Sequence, residues 1–246
     1  MRTLFAFLAT VAIAAAGTID PKTPDQKHLD YGDQFKCVAR ISCLEKESGQ
    51  TAWASCVLIS PRWIVTAAHV VDGAEAWVVH VADEKHPIGE VIIHERFRQT
   101  GVGCCDIALG RVMGSKEFGL SFYPQLYGNA DEVGQVVSIC GYGITGTFLT
   151  GSVVADGKKR AGSNIIDYVD SSGLLVCSVD SGKRTELEYL ISPGDSGGGL
   201  FIGNKLAGVN SVVMAIKHSP RSVYGDESGH TRISRHREWI LEHISK

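Results

Sequence analysis

Residues 194–206 read Gly194-Asp195-Ser196-Gly197-Gly198-Gly199-Leu200-Phe201-Ile202-Gly203-Asn204-Lys205-Leu206, a serine in a glycine-dense turn with two short apolar runs around Gly203-Asn204 after it. The residues on either side of the serine distinguish two fold classes. A Gly-x-Ser-x-Gly pattern also marks the nucleophile elbow of α/β folds, but that elbow puts a strand before the serine and a helix after it. Here Pro193 precedes the loop, and Gly199 to Leu206 reads as strand, turn, strand. The serine therefore belongs to a loop of an antiparallel β fold.

The rest of the chain agrees. Val57–Ile59, Trp63–Val65, Trp77–Val81, Val91–Ile93, Val136–Cys140, Leu174–Val179 and Leu206–Val213 are short apolar or alternating runs bounded by Gly, Ser, Asp or Pro. Runs of this length rich in β-branched residues read as strands. A helical period shows at the end, where Ile233, His236, Ile240 and Ile244 with Trp239 line one face from Ser234 onward. Many short strands and one terminal helix predict an all-β barrel or sandwich. The 246 residues suit one such domain, and a hydrophobic fraction of 44% supplies its core. Lys and Arg number 24 against 27 Asp and Glu. That balance speaks against a nucleic-acid binder, which usually carries a basic excess.

The first sixteen residues read as a secretory signal. Arg2 supplies a positive start, Leu4 to Ala16 is uncharged, and Ala14 and Ala16 satisfy the small-x-small rule for cleavage before Gly17. A membrane span needs roughly 20 apolar residues, more than this run provides. The expectation is a secreted or periplasmic protein, free of the membrane once residues 1–16 are removed. Residues 17–34, polar and rich in Asp, Pro and Lys, suit a surface-hugging arm, and 35–246 form the domain proper. Export permits disulfides among Cys37, Cys43, Cys56, Cys104, Cys105, Cys140 and Cys177, but seven is odd and six could pair in fifteen ways. No Cys-x-x-Cys pair occurs and no His-x-x-x-His stands nearby, so no zinc or other metal site and no cofactor is expected.

Three segments carry chemistry. Thr66-Ala67-Ala68-His69 comes after a strand-like run, Asp106-Ile107-Ala108-Leu109 puts a carboxylate at the mouth of another, and Gly194 to Gly198 presents Ser196. Nucleophilic acyl transfer needs a hydroxyl that an imidazole can deprotonate. A buried carboxylate then fixes the imidazole tautomer. Glycines beside the serine let backbone N–H groups approach a developing oxyanion.

In these segments the sequence resembles the trypsin/chymotrypsin-like serine peptidases, especially bacterial secreted members. Leu58-Ile59-Ser60-Pro61-Arg62-Trp63-Ile64-Val65 before the histidine, Gly141-Tyr142-Gly143, Ala207-Gly208-Val209, and Thr231-Arg232-Ile233 with Trp239-Ile240 extend the likeness from about Phe35 to Ile244. The resemblance implies two six-stranded antiparallel β-barrels with a C-terminal helix and the active site in the cleft between them. It implies His69 as general base, Asp106 as orienting carboxylate, Ser196 as nucleophile, and the N–H groups of Gly194 and Ser196 as oxyanion hole. Ser211 resembles the serine whose strand pairs with the substrate backbone. Leu190, six residues before the nucleophile, would lie at the base of the specificity pocket, with Val212 and Val213 on its wall. An apolar floor predicts a preference for small or medium apolar side chains, unless Glu186, Glu188 or Asp226 turns into the pocket. The expected partners are protein or peptide substrates and protein inhibitors, acting on a monomer.

Two rival readings remain in view. An esterase of the α/β-hydrolase type would have its histidine after the serine, whereas the order here is His, Asp, Ser. A non-enzymatic binding module on the same scaffold would commonly have lost one of the three residues, and none is lost. The other histidines singled out (His80, His86, His94, His218, His230, His236, His243) read as structural or solvated. Lys158-Lys159-Arg160 and Arg235-His236-Arg237 read as solvated charge clusters. Two departures from the resemblance stand out. Val70 and Ala54 occupy positions where animal members carry a bridged cysteine pair, and Cys104-Cys105 beside Asp106 is unusual. The Ile-Val-Gly-Gly start that normally supplies a buried N-terminus opposite Asp195 is missing, so signal removal before Gly17 or a cut within 17–34 would have to supply it.

Overall fold

The computed structural model describes residues 17–182, 184–215 and 222–245. The expected signal, residues 1–16, and His218 lie outside them. Strand β1 (Thr18–Ile19) and helix α1 (Asp25–Gly32) lead into β2 (Val38–Glu45), β3 (Thr51–Leu58), β4 (Trp63–Thr66), the one-turn helix α2 (Ala68–Val71), β5 (Ala74–Val81), β6 (Glu84–Ile93), the one-turn helix α3 (Phe97–Thr100) and β7 (Ala108–Val112). Strands β2 to β7 close on one another in the order β2-β3-β4-β7-β6-β5, every pair antiparallel. The period-2 pattern explains the barrel's inside. In β2, Ala39, Ile41 and Cys43 are buried while Arg40, Ser42 and Leu44 are half-exposed.

The second half contains β8 (Gln125–Leu126), β9 (Val136–Gly141), β10 (Thr145–Thr147), β11 (Gly151–Val154), β12 (Arg160–Ile165), β13 (Tyr168–Val169), β14 (Leu174–Ser178), β15 (Tyr189–Leu190), β16 (Gly199–Ile202), β17 (Lys205–Met214), β18 (Glu227–Arg232) and helix α4 (Ile233–Ile244). Its main ladder runs β12-β9-β16-β17-β18-β14 with β13 on the outer edge of β14. The expected pair of antiparallel barrels is thus present, the first closed and the second a half-barrel. The edge of β12 is taken up by the segment before β15, through an isolated Ser163–Glu188 bridge and a hydrogen bond from Ser163 N to Leu187 O. Strand β15 itself belongs to a separate small sheet, β11-β10-β1-β15.

Residues 17–34 do more than hug the surface. Gly17, Thr18, Ile19 and Asp20 are all buried, and β1 lies between β10 and β15. The solvated reading of 158–160 holds for Lys158, which is exposed, and fails for Lys159 and Arg160. Arg160 is only 2% exposed, with bonds of 2.6 and 2.7 Å to Asp25 and of 2.8 and 3.0 Å to Asp156, so it ties α1 to β12. Lys159 Nζ donates to the carbonyls of Phe35 and Val38. In the later cluster Arg235 and Arg237 are exposed, but His236 is buried and bonded to the Cys104 carbonyl.

One apolar cluster joins the halves: Val65 and Leu109 from the first barrel, Phe201 and Val209 from the second, and Ile233 and Ile240 from α4. Burying each such side chain stabilises by about 1.5–3 kcal/mol, which fixes the halves against each other and hence the cleft between them. All seven cysteines are free, six of them buried. Cys56, Cys140 and Cys177 have no solvent exposure and serve as small core hydrophobes. No helix among the described residues is long and apolar enough to cross a membrane.

Candidate active site

His69 is placed by α2, the single turn directly after β4. Asp106 sits in the turn before β7, fully buried. Because β4 and β7 are hydrogen-bonded neighbours, with Thr66 opposite Ala108, the two residues emerge at the same barrel end. Asp106 Oδ1 accepts the backbone N–H of His69 at 2.9 Å, and Oδ2 pairs with His69 Nδ1 at 2.7 Å. A carboxylate oxygen accepts, so this contact is made by the His69 tautomer that carries its hydrogen on Nδ1. Ser211 Oγ donates to the same Oδ2 at 2.6 Å, and Thr231 Oγ1 donates to the Asp106 carbonyl at 2.9 Å. The residue is thus held by both halves of the molecule. The bulge in β17 at Ser211, where the register with β18 shifts between Asn210 and Val212, turns this hydroxyl toward Asp106.

Ser196 enters from the second half on the loop before β16. It is anchored to the first barrel by Ser55, whose N–H donates to the Ser196 carbonyl at 2.9 Å and whose Oγ donates to the Gly194 carbonyl at 2.9 Å. The approach is so close that a Cβ on Gly197, itself at φ +83°, would lie 2.0 Å from Thr66 Oγ1 and 2.2 Å from the Ser55 carbonyl. Among the described residues, the N–H groups of Gly194 and Ser196 have no acceptor, whereas those of Asp195, Gly197 and Gly198 bond to Ser192, Asn210 and Asp195 carbonyls. His69, Gly194 and Ser196 line one cavity of about 190 Å³ with Trp53, Glu45 and Asp72. His69 and Ser196 are not hydrogen-bonded to each other here, a common state of such pairs before substrate arrives. A larger cavity of about 680 Å³, walled by Phe35, Leu120, Phe122 and Phe201, touches none of these three residues.

Asp195 points the other way, into the second half, and is wholly buried. Its carboxylate accepts N–H groups from Gly143 at 2.8 Å, Ser192 at 2.9 Å and Gly17 at 2.9 Å, with Tyr189 Oη at 3.3 Å. Burial pushes its carboxyl up to about 6, opposed by those N–H donors. Gly17 fits there only as glycine, since a Cβ would lie 2.1 Å from the Tyr189 ring.

The candidate specificity residues are placed less openly. Leu190 is fully buried in β15, packed with Phe148 and Val179 and bordered by Tyr224. Val213 is half-buried. Glu186 faces Lys27 at 3.6 Å, Glu188 lies 3.8 Å from Arg184, and Asp226 accepts the Val223 N–H at 3.1 Å. One neighbour of the site, Ser55, was not singled out from sequence, its only signal being a hydroxyl in a strand; Thr231 was quoted within Thr231-Arg232-Ile233, but its bond to the Asp106 carbonyl was not foreseen.

Closed first barrel, second half-barrel, interbarrel cleft and C-terminal helix define a chymotrypsin-like fold. A family model described as Trypsin matches residues 29–240. The chain belongs to that family of serine peptidases. It is 28% identical over 227 residues to a chymotrypsin of Phaedon cochleariae, covering 81% of this chain and 75% of that one. It is 26% identical over 210 residues to an uncharacterized peptidase of Corynebacterium glutamicum (strain R), covering 80% and 66%. Among solved structures it is similar to HL collagenase (TM-score 0.67, 19% identity, covering 87% of this chain and 96% of that one). It is also similar to mouse neuropsin (TM-score 0.63, 19% identity, with the same coverage). At such identities the structural likeness bears on the fold alone.

Proposed function

We propose that this chain is an exported serine endopeptidase that cleaves protein or peptide substrates through an acyl-enzyme. The observation that carries the reading is the bonding around Asp106: one carboxylate orients both His69 and Ser211 beside a serine loop with two unused backbone donors. In the first step Ser196 Oγ attacks the scissile carbonyl while its proton passes to His69 Nε2. Asp106 stabilises the resulting imidazolium. The N–H groups of Gly194 and Ser196 receive the oxyanion. Collapse of the tetrahedral species returns the proton from His69 to the leaving amine, and a water deprotonated by the same histidine releases the acyl group.

Removal of residues 1–16 before Gly17 would make its nitrogen an ammonium already positioned against Asp195, with no further propeptide to cut. The apolar surroundings of Leu190 favour small or medium apolar residues before the scissile bond, because burying a lysine or arginine charge there is costly. A cleavage-site profile of the purified protein on a peptide library tests the function. Cleavage by the wild type with apolar residues before the cut, absent in Ser196→Ala, is expected. Equal cleavage by Ser196→Ala overturns the assignment, and no cleavage by a wild type beginning at Gly17 favours the binding-module reading.

A further inference from the structure

Cys104 and Cys105 stand between α3 and β7, directly before Asp106, and nothing in the proposed reaction uses them. Their sulfurs lie 3.0 Å apart. No other pair of cysteine sulfurs is hydrogen-bonded among the described residues, although seven thiols are present. Cys104 is half-exposed and Cys105 is 2% exposed, so the pair has one sulfur at the surface and one behind it.

The pair also sits inside the backbone that sets the candidate triad carboxylate. Asp106 N donates to the Gly103 carbonyl at 3.2 Å, spanning both cysteines, and Ile107 N donates to the Cys105 carbonyl at 2.9 Å. His236 Nε2 meets the Cys104 carbonyl at 2.6 Å. We propose that Cys104 and Cys105 form a reversible thiol–disulfide exchange site for low-molecular-weight disulfides, coupled through this turn to the position of Asp106.

The sulfurs need to approach by only about 1 Å to reach a bonded length near 2.05 Å. The resulting ring is strained whatever its conformation. Adjacent Cα atoms are about 3.8 Å apart, below the usual 4.4–6.8 Å of disulfide-bridged residues. Strained, surface-accessible disulfides are easily reduced, which suits a switch and not a structural staple. Cys104, the exposed member, is the entry point. Burial pushes the Cys105 thiol up to about 11, so this inner sulfur waits for the first bond and does not react with solvent oxidants alone. The Arg96 charge favours its thiolate when the second step comes.

The exchange balances in two steps. Cys104 loses its thiol proton to water and attacks one sulfur of a small disulfide RSSR, forming Cys104–S–S–R and expelling RS⁻, which is protonated to RSH. Cys105 then loses its proton and attacks Cys104 Sγ, breaking the mixed bond and releasing the second RSH. Two electrons pass from the cysteine pair to RSSR. The two thiols become one disulfide.

The test uses the full-length protein equilibrated across oxidised-to-reduced glutathione ratios, quenched in acid, alkylated and mapped by mass spectrometry. The expected result is a 104–105 peptide that escapes alkylation and is lighter by two hydrogens than the thiol form, reverting with dithiothreitol. In the oxidised form kcat falls about tenfold at unchanged KM, as a small displacement of an orienting group would cause. Cys104→Ser, which lacks the entry thiol, shows no fall in its own kcat as the ratio turns oxidising, and Cys105→Ser stops at the Cys104 mixed disulfide. In the wild type, two alkylated thiols at all ratios, or a mixed disulfide that never resolves, overturns the exchange site. A disulfide that leaves kcat unchanged overturns its coupling to Asp106. The mass readout is independent of the peptidase assignment, so a wild type without activity would count against that assignment and not against the pair.

Discussion

The backbone nitrogen of Gly17 lies 2.9 Å from Asp195 Oδ2, although 178 residues separate them in sequence. The contact is buried, and Asp195 is the neighbour of Ser196. Whatever charge Gly17 carries therefore bears directly on the serine loop. In the uncleaved chain the nitrogen is a neutral amide. Freed by cleavage, it would be an ammonium with an ordinary value near 8.

This difference has a definite pH signature in stability. In the uncleaved chain Asp195 titrates at about 6 in the fold against an ordinary 3.8, so between those values the folded chain binds a proton that the unfolded chain lacks. The stability this proton contributes is greatest below 3.8 and is lost as pH rises through about 6. An ammonium at Gly17 relieves that loss by pairing with the ionised carboxylate. Melting curves of the two forms should show the chain beginning at Gly17 gaining its Tm advantage between pH 4 and 7. A constant or shrinking gap would contradict the pairing.

The alkaline side runs the opposite way. An ammonium facing a buried carboxylate has its value raised in the fold, so its contribution is complete below about 8 and disappears as pH climbs through the higher folded value. Initial rates of the chain beginning at Gly17 should decline reversibly above pH 8. Asp195→Asn should lower kcat about 10²-fold even at neutral pH, by loosening the donors at Gly194 and Ser196. Rates that stay flat to pH 10 would separate Gly17 from the active conformation.

Asp106 offers a graded series. Asp106→Asn should cost on the order of 10⁴-fold in kcat by setting the wrong His69 tautomer. Ser211→Ala removes one charge-assisted bond and should cost about 10- to 100-fold, in keeping with about 1.5–3 kcal/mol for such a bond. Steady-state kinetics on one peptide substrate checks both. Ser211→Ala exceeding Asp106→Asn would invert the proposed hierarchy.

Gly197→Ala should be destabilising and inactive. Its backbone is left-handed, at about 1–2 kcal/mol for any residue with a Cβ, and the new methyl overlaps Thr66 Oγ1 and the Ser55 carbonyl, adding about 1–3 kcal/mol. Thermal denaturation reads the loss. A variant with unchanged Tm and rate would show that the loop is not pinned to the first barrel.

Much of the fold was legible in the sequence, for identifiable reasons. The runs at Trp63–Val65 and Leu206–Val213 became β4 and β17 because they are apolar, β-branched and bounded by breakers. The helix at the end began one residue before its expected start, on the face of Ile233, His236 and Ile240. Gly194 to Gly198 was readable because close backbone approach demands glycine. The illegible parts depend on partners distant in the chain. Thr18–Ile19 looks polar and terminal, and only β10 and β15 make it a buried strand. Arg160 looks solvated until Asp25 and Asp156 converge on it. The half-barrel form of the second sheet rests on pairings between segments separated in the chain, such as Ser163 with Glu188, which no local pattern encodes.

Activation of Ser196 by the base that Asp106 orients is open to test by covalent labelling. The chain beginning at Gly17 is treated with a fluorophosphonate at pH 7.5, and the modified peptide is mapped by mass spectrometry. Stoichiometric labelling at Ser196 alone is expected, abolished in Ser196→Ala and slowed by several orders of magnitude in His69→Ala. Labelling of Ser196→Ala at the wild-type rate, or a wild type that takes up no label while its Gly17–Asp195 contact is intact, would contradict the assignment.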